Sequence, residues 1–232
     1  MGKKFSRRDS WDSLFRSERY FLKKIDGRYK TILDVGCALG GLASVFDKLV
    51  SGVQYTGVDI SQAMVDRASE QYGQHEFVRV NILEFDVDKT YDLVFSTGVC
   101  QHEPKFHEVI KKLTALSHSY VLFDCKLVSG VPSVIDIAKS YCDYADRLYY
   151  ILVNIVDLLD FLRGLPDVKS INIFGYFAPP VGSAILPESV DPDKVCACHV
   201  LLEKGLGAAS PELHVDLPGE IVQAIDPCLL LQ

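Results

Sequence analysis

Short apolar segments alternate along this chain with segments whose apolar residues recur at helical spacing. The first apolar segment, Thr31 to Val35, is followed by a glycine-rich turn and then by a helical pattern. The apolar residues of that pattern at i, i+3, i+4 and i+7 are Leu42, Val45, Phe46 and Leu49. Such spacing predicts an amphipathic helix directly after a buried strand.

The same alternation continues to about residue 204. Six more strands are predicted at Tyr55–Val58, His75–Val80, Tyr91–Phe95, Tyr120–Asp124, Ile171–Phe177 and Val195–Leu202. Strands that alternate with helices are typical of a doubly wound α/β domain with a mainly parallel sheet. A chain of 232 residues is long enough for one such domain with a sizeable core.

The turn after the first strand carries the most specific motif. It reads Asp34-x-Gly36-x-Ala38-x-Gly40, and a second acid, Asp59, ends the next strand. Glycine lets the backbone turn tightly and approach a ligand, which then faces a helix N-terminus. The motif resembles motif I of class I S-adenosylmethionine (SAM)-dependent methyltransferases, whose usual form is acid-x-Gly-x-Gly-x-Gly. Ala38 departs from that form.

The resemblance implies a SAM site at the carboxyl ends of the strands. Asp59 would accept hydrogen bonds from the ribose hydroxyls, and Asp34 would hold the ammonium group directly or through water. Ile82 would cover the adenine ring, and Asn81 stands where the family commonly has Asp; its amide oxygen can still accept a hydrogen bond from adenine. The predicted cofactor-binding residues are Asp34, Gly36, Cys37, Gly40, Asp59, Ile60, Met64, Asn81, Ile82, Ser96 and Thr97.

A nicotinamide dinucleotide site is the main rival, because a glycine-rich turn followed about 20 residues later by an acid is also the dinucleotide-binding fingerprint. Two features favour SAM. Ala38 occupies the second glycine position of that fingerprint. Asp34 would lie beside the pyrophosphate of a dinucleotide and repel it, whereas it would attract the ammonium group of SAM.

The segment Ser96 to His102 is similar to the segment after the fourth strand in small-molecule methyltransferases. His102 is the predicted general base, because an unperturbed pKa of about 6.5 lets histidine take a proton near neutral pH. A structural role, capping or orienting a helix that starts near Pro104, explains its position equally well. His107 is a weaker candidate because it lies further along that helix.

The resemblance covers residues 31–204 and implies a Rossmann-like, seven-stranded, mostly parallel sheet with the last strand antiparallel and helices on both faces. Residues 128–150 interrupt the alternation after the fifth strand, which predicts a helical lid over the acceptor. Four tyrosines in this insertion suit an organic substrate, because each offers an apolar ring with a polar tip. Packing of these tyrosines on the core is the alternative. They are Tyr141, Tyr144, Tyr149 and Tyr150.

The two ends of the chain lie outside this domain. Residues 1–30 are predicted to form a basic helical arm, with a helix from about Asp9 to Ile25 whose apolar side packs on the core. The tail, residues 205–232, shows no clear period. Its apolar end, Ile221 to Leu231, docks on the domain or on the second subunit of a homodimer, or is loose.

Composition narrows the class of function. The chain carries 31 acidic and 24 basic side chains, which argues against broad nucleic-acid binding. The most apolar stretch, Tyr149 to Leu162, is interrupted by Asn154, Asp157 and Asp160, so no membrane span is predicted. Seven cysteines without a framework spacing favour a reducing, cytoplasmic compartment. No carboxylate cluster beyond the SAM acids is evident, so no metal is predicted.

The predicted function is transfer of a methyl group from SAM to a small organic acceptor by in-line SN2 displacement, with S-adenosylhomocysteine as product. Most of the catalysis would come from holding the nucleophile, methyl carbon and sulfur in line. A SAM-binding partner or regulatory protein without transferase activity is the alternative that Ala38 and Asn81 keep open. An NAD-dependent oxidoreductase is the third.

Overall fold

The structure is a computed structural model that describes residues 8–144, 146–180, 182–205 and 210–230. The chain forms two compact units. The first is Met1–Thr97 with Lys112–Leu122, and the second is Gly98–Lys111 with Phe123–Gln232. The first seven residues of the predicted arm, and residues 206–209, 231 and 232 of the predicted tail, lie outside the described residues.

Helices and strands alternate through most of the described chain. The helices are α1 (Arg16–Lys24), α2 (Gly41–Leu49), α3 (Gln62–Gln71), α4 (Phe106–Ala115), α5 (Ile155–Arg163), α6 (Gly219–Val222) and α7 (Pro227–Leu230). The strands are β1 (Thr31–Val35), β2 (Gln54–Asp59), β3 (Glu76–Arg79), β4 (Tyr91–Ser96), β5 (Ser117–Val128), β6 (Tyr141–Asp143), β7 (Arg147–Tyr149), β8 (Val153–Asn154), β9 (Val168–Phe177), β10 (Ala184–Ile185), β11 (Cys196–Lys204) and β12 (Glu212–Asp216). In these ranges no helix is long and apolar enough to span a membrane.

The first unit contains the strand order β3-β2-β1-β4-β5, with β5 continuing into the second unit. Strand β1 pairs parallel with both β2 and β4, and β2 pairs parallel with β3. Val35 lies opposite Val58 on one side and Ser96 on the other, and Asp59 lies opposite Arg79. The carboxyl ends of these four strands therefore meet at one edge of the sheet, where the sequence places the cofactor site.

The ring of Phe46 anchors α2 on this sheet. It is fully buried and contacts Tyr29 and Phe95 edge-to-face, each at 5.9 Å between ring centroids. Tyr55 on β2 packs on the same ring at 6.3 Å. The helical spacing of apolar residues after the motif thus produces the packing that it predicts.

The N-terminal arm is not one helix. A 3-10 turn, Trp11–Ser13, is separated from α1 by extended backbone at Leu14 and Phe15. The carboxylate of Glu18 accepts a hydrogen bond from the backbone N–H of Phe15 at 2.6 Å, which fixes the start of α1 at Arg16. The buried apolar residues in the described part of the arm are Leu14, Phe21, Leu22, Ile25 and Tyr29.

The second unit contains the strand order β5-β11-β9-β12. Strand β11 runs antiparallel to β9, from Cys196 opposite Phe177 to Lys204 opposite Val168, which confirms the predicted antiparallel closing pair. Two further strands were not predicted. Strand β8 pairs parallel with the end of β5, and β12 pairs parallel with β9.

The prediction that this insertion is helical is wrong, and its role as a lid stays a prediction. The described residues between 128 and 150 contain the strands β6 and β7 instead, which join β10 in a three-stranded antiparallel sheet. Aromatic residues favour strands, and Tyr141 and Tyr149 lie directly opposite each other across β6 and β7. A separate apolar cluster supports this sheet: Val128, Cys142, Tyr150, Leu152, Val190 and Val195. Tyr150 is therefore a core residue, as the alternative expected.

The tail docks on the second unit. Its strand β12 extends the sheet beside β9, and Ile221 and Ile225 are 1% and 2% exposed. Lys194 forms an ion pair with Glu220 at 2.9 Å. Strand pairing with a distant partner, and not a local hydrophobic period, orders this segment. A homodimer stays a prediction.

We expect Gly40→Ala to destabilise the protein more than Gly52→Ala. Both glycines have a left-handed φ, +70° and +72°, so both substitutions incur a similar backbone strain of about 1–2 kcal/mol. A Cβ on Gly40 would also lie 2.8 Å from Phe77 Cε1 and 2.9 Å from Ala68 Cβ, whereas one on Gly52 meets nothing within 4 Å. Overpacking adds about 1–3 kcal/mol. Urea denaturation gives both free energies of unfolding, and equal losses would contradict the steric argument.

Candidate functional site

The loop between β1 and α2 has the backbone conformation of a glycine-rich turn, although one of its positions is alanine. Gly36, Ala38 and Gly40 all have left-handed φ angles, of 78°, 48° and 70°. A non-glycine residue in this region costs about 1–2 kcal/mol. Ala38 thus keeps the geometry of the missing glycine, and the departure from motif I leaves the turn intact.

The carboxylate of Asp59 joins the end of β2 to this loop. Its Oδ2 accepts a hydrogen bond from the N–H of Ala38 at 3.0 Å, and its Oδ1 accepts one from the N–H of Ser61 at 2.9 Å. Each carboxylate oxygen has a second lone pair. Asp59 can therefore hold the loop and still accept a hydrogen bond from a ribose hydroxyl through each oxygen.

Asp34 is a buried acid at the start of the loop. It is 1% exposed and accepts a hydrogen bond from the hydroxyl of Tyr55. Burial raises the pKa of Asp34 to about 7; the Tyr55 hydrogen bond and the charge of Arg8 oppose the rise, and Asp59 and Glu18 add to it. Burial disfavours the charged form of a carboxylate unless a cation compensates it. The ammonium group of SAM is such a cation.

Cys37 packs closely against Gly57, which lies opposite this acid across β1 and β2. A Cβ on Gly57 would lie 2.8 Å from Phe77 Cδ1 and 2.9 Å from Cys37 Sγ. Burial raises the pKa of the Cys37 thiol, and the Cys37 N–H donates to Val58 O at 3.1 Å. The side chain of Cys37 therefore packs inside the unit, and its predicted contact with the cofactor remains untested.

The other predicted residues differ in exposure. Ile60, directly after Asp59, is 69% exposed, an unusual state for a large apolar side chain beside a candidate site. Met64 on α3 is half-buried. Asn81 is exposed, and its Oδ1 accepts a hydrogen bond from Leu83 N–H at 3.0 Å, while Ile82 is buried. The amide oxygen of Asn81 keeps one lone pair for a ligand.

The end of β4 supplies two hydroxyl groups. Ser96 Oγ is buried and has no hydrogen-bond partner within the described part of the chain. Thr97 Oγ1 donates to Glu18 Oε1 at 2.8 Å. An unsatisfied buried hydroxyl costs about 1–3 kcal/mol. The Ser96 hydroxyl and the carboxylates of Asp34 and Asp59 provide polar groups at this edge of the sheet, and the exposed Ile60 provides an apolar side chain. This combination fits SAM, which has both polar and apolar parts.

The sequence did not predict a buried charge pair from the arm. Glu18 is fully buried and accepts hydrogen bonds from Arg8, from Phe15 N–H and from Thr97. The Arg8 backbone lies 3.0 Å from a Cβ built on Gly41 at the start of α2. The arm therefore contacts the first turn of α2 and the end of β4. Basic composition alone gave no sign of this contact, although an acid three residues after a helix start is a recognisable capping signal.

His102 belongs to the second unit and is held through both ring nitrogens. Its Nδ1 lies 2.6 Å from the carbonyl oxygen of Tyr149, and its Nε2 lies 3.1 Å from Gln101 Nε2. A carbonyl only accepts, so Nδ1 carries the proton and Nε2 accepts from the Gln101 amide. Burial lowers the pKa of His102, against the opposing effects of Tyr149 and Asp124. The imidazole is therefore neutral near neutral pH, with its basic lone pair on Nε2.

The expected structural role of His102 was to cap or orient the next helix, whereas its hydrogen bonds connect it to a different segment. In the turn before α4 it is Glu103, and not His102, that accepts a hydrogen bond, from Lys105 N–H at 2.9 Å. His102 instead fastens its own turn to the insertion through Tyr149. His107 is a packing residue, since its ring lies 4.0 Å from Phe106 and 4.3 Å from Phe161 between centroids.

The cysteines behave as small buried apolar residues. Six of them are buried, namely Cys37, Cys100, Cys125, Cys142, Cys196 and Cys198, and Cys228 is exposed. Cys125 and Cys198 lie 3.3 Å apart as free thiols. Among the described residues no group of three His, Cys, Asp or Glu side chains is placed to hold a metal ion. Independence from metals stays a prediction.

A parallel sheet whose glycine-rich loop and second acid meet at the carboxyl ends of the strands defines a Rossmann-like, nucleoside-binding domain. Residues 33–118 match the family described as a methyltransferase domain. The match supports the predicted resemblance to class I SAM-dependent methyltransferases, and the predicted Rossmann-like α/β fold is confirmed. The match begins within β1, ends at the second residue of β5 and includes every predicted cofactor-binding residue.

Individual proteins agree with this class. A putative methyltransferase, 235L, of Invertebrate iridescent virus 6 is 24% identical over 159 residues, 66% of this chain and 58% of that protein. The (S)-tetrahydroprotoberberine N-methyltransferase of Eschscholzia californica is 29% identical over 100 residues, 40% of this chain and 29% of that protein. The chain thus spans well under two thirds of either relative.

A solved structure shows the same fold. The O-methyltransferase from a trans-AT PKS multienzyme of Brevibacillus brevis, in complex with S-adenosyl-L-homocysteine, has a TM-score of 0.61 and 13% identity. The alignment covers 80% of this chain and 70% of that one. At this level of identity the likeness establishes the fold, and the position of the cofactor in this chain is argued from its own residues.

We expect Asp59→Ala to weaken binding of S-adenosylhomocysteine by about 1.5–3 kcal/mol, the range for charge-assisted hydrogen bonds. Asp59→Asn should also weaken it, because the new amide NH₂ must face one of the backbone N–H donors of Ala38 and Ser61. Asp66→Ala on the exposed side of α3 is the matched control. Calorimetric titration measures all three. Unchanged affinity in a folded Asp59→Ala protein would remove Asp59 from the site.

We also expect the affinity for S-adenosylhomocysteine to rise with pH across the pKa of Asp34, about 7. Below that pKa the acid is protonated and cannot attract an ammonium group; above it the carboxylate can. The titration runs from about pH 5.5 to about pH 7.5, where an α-amino group stays largely protonated. Asp34→Asn should bind weakly at every pH and lose the slope. A wild-type affinity that is flat over this range would contradict the assignment.

Proposed function

We propose that this protein is a SAM-dependent methyltransferase that acts on a small organic acceptor. The observation that carries the proposal is the Asp59 carboxylate, which bonds to both Ala38 N–H and Ser61 N–H and so fixes a ribose-binding acid against the glycine-rich loop. The names of the relatives support a small acceptor but differ in the atom methylated, since one is an N-methyltransferase and the solved neighbour an O-methyltransferase.

The residues divide the work of holding the cofactor. Asp34 would bind the ammonium group and Asp59 the ribose hydroxyls, while Ile82 and the free lone pair of Asn81 would contact adenine. Bound SAM would supply a methyl group on a positively charged sulfur. The protein then has to orient the acceptor and exclude water, which is where positioning lowers the barrier.

The geometry of Ala38 weakens the case for a SAM-binding protein without activity. That reading rests on a defective motif, yet Ala38 keeps the left-handed backbone and donates its N–H to Asp59. The dinucleotide reading is disfavoured by Asp34, a buried acid that would lie beside a pyrophosphate. The non-catalytic alternative predicts that SAM binds without turnover. The dinucleotide alternative predicts that a nicotinamide cofactor binds in place of SAM.

Native mass spectrometry of freshly purified protein tests the cofactor. We expect co-purified SAM or S-adenosylhomocysteine, and a nicotinamide adduct would overturn the proposal. Formation of S-adenosylhomocysteine with a panel of phenols, amines and carboxylic acids then tests the reaction. SAM binding without turnover on any acceptor class would favour the non-catalytic protein.

Full activity in excess EDTA is expected, and restoration of a lost activity by magnesium would contradict it.

We propose His102 as the general base if the acceptor is a hydroxyl. His102→Ala should then lower turnover by about 10²–10⁴-fold with binding of S-adenosylhomocysteine nearly intact. Because burial lowers the pKa of His102, the acidic limb of the wild-type pH–rate profile should lie below pH ~6.5 and vanish in the variant. The exposed His214 on β12 supplies the control His214→Ala. A fall in turnover that only tracks lost cofactor affinity would assign His102 a structural role.

A further inference from the structure

The buried acid at the start of the loop, Asp34, is held by a tyrosine of the neighbouring strand. Asp34 on β1 lies opposite Gly57 on β2. Tyr55 lies two residues before Gly57, so its side chain is on the same face of the sheet as that of Asp34. The Tyr55 hydroxyl donates a hydrogen bond to Oδ2 of Asp34. The other oxygen, Oδ1, accepts no hydrogen bond from any residue in the described ranges, so it is the oxygen left for a ligand.

Packing fixes the position of the Tyr55 ring. Tyr55 is 3% exposed. Its ring centroid lies 5.4 Å, 5.8 Å and 6.3 Å from those of His75, Phe77 and Phe46. A buried ring enclosed by three other rings keeps one orientation, so its hydroxyl stays directed at Asp34.

The Tyr55 hydroxyl is a donor at every pH near neutrality. Burial raises the pKa of Tyr55 well above its ordinary value, and the charge of Asp34 raises it further. A hydroxyl that keeps its proton donates to Oδ2 whether Asp34 is charged or neutral, so the proton of the neutral acid lies on Oδ1. That oxygen can carry a proton or accept from an ammonium group, but it cannot do both.

Charged groups from the arm and from β2 face Asp34. Arg8 favours the carboxylate, whereas Asp59 at the end of β2 and Glu18 on α1 favour the neutral acid. Cys37 in the loop stays a neutral thiol, because burial raises its pKa. Burial of Asp34 outweighs its hydrogen bond and raises its pKa to about 7. Most Asp34 carboxyls therefore carry a proton at pH ~6.5 until a cation binds.

We propose that Tyr55 is a positioning residue of the cofactor site, which presents Oδ1 of Asp34 to the ammonium group, and that cofactor binding displaces a proton from that oxygen. The ammonium group keeps its own protons, Asp34 loses one, and the buffer takes it up. Loading of the site is thereby regulated by pH. The inference rests on the proposed function, because it describes how the same site takes its cofactor.

Calorimetric titration with S-adenosylhomocysteine in buffers of different ionisation enthalpy counts the protons released. At pH ~6.5 the wild-type protein should release about 0.8 protons per molecule bound, and Asp34→Asn should release almost none. At pH ~7.5 Tyr55→Phe should release about half a proton more than the wild type, because loss of the hydrogen bond raises the pKa of Asp34 by about 1. The amino group of the ligand contributes equally to both proteins.

Tyr29→Phe is the matched control. Tyr29 is 2% exposed and packs on the same Phe46 ring, and its hydroxyl has no hydrogen-bond partner among the described residues. NMR titration of the Asp34 carboxyl carbon in the ligand-free proteins should give a higher pKa in Tyr55→Phe than in the wild type and an unchanged pKa in Tyr29→Phe. An equal pKa of Asp34 in Tyr55→Phe and the wild type would remove Tyr55 from this role.

The wild-type protein alone also decides the outcome, so the test does not depend on whether a variant folds. Binding of S-adenosylhomocysteine at pH ~6.5 without proton release would overturn this inference and leave the proposed function standing. No binding at any pH would overturn the proposed function, and this inference with it.

Discussion

Two backbone hydrogen bonds to one carboxylate hold the candidate site together. Asp59 ends β2, yet it accepts the N–H of Ala38 in the loop after β1 and that of Ser61 before α3. Two separate connections are thereby fixed to a single side chain, one of them 21 residues before Asp59 in the chain and the other two residues after it. Because the loop includes an alanine in left-handed conformation, this carboxylate also offsets local strain, and the shape of the ligand edge depends on it.

The buried Asp34 carboxyl lowers the stability of the folded protein at neutral pH but suits the binding of a cationic ligand group. Its pKa of about 7 lies above the ordinary value of 3.8. A folded-state pKa that is raised in an acid means that the folded protein binds the proton more tightly than the unfolded chain. The contribution of Asp34 to stability is therefore present below pH ~4 and is lost as the pH rises toward 7. A bound cation would reverse this loss at neutral pH, so ligand and fold are coupled at one residue.

Patterns of neighbouring residues in the sequence predicted the features that depend mainly on interactions between neighbouring residues. The seven strands, α2 and the acids at the strand ends follow from apolar runs, helical spacing and a short motif, and the structure contains all of them. The insertion was assigned the wrong secondary structure because β6, β7 and β10 are stabilised by pairing with one another. Strands β8 and β12 are too short or too polar to stand out. The buried state of Glu18 could not be predicted, because burial of a charge depends on distant residues that enclose it.

The position of β12 bears on how the chain behaves when it is shortened. Strand β9 is hydrogen-bonded to β11 on one side and to β12 on the other, and its Ile171 and Ile173 are almost fully buried. A chain that stopped at Lys204 would turn β9 into an open edge with a row of unpaired N–H and C=O groups. Such edges recruit strands from other molecules. Self-association of a trimmed protein would then report the lost pairing partner of β9, and would say nothing about a native interface.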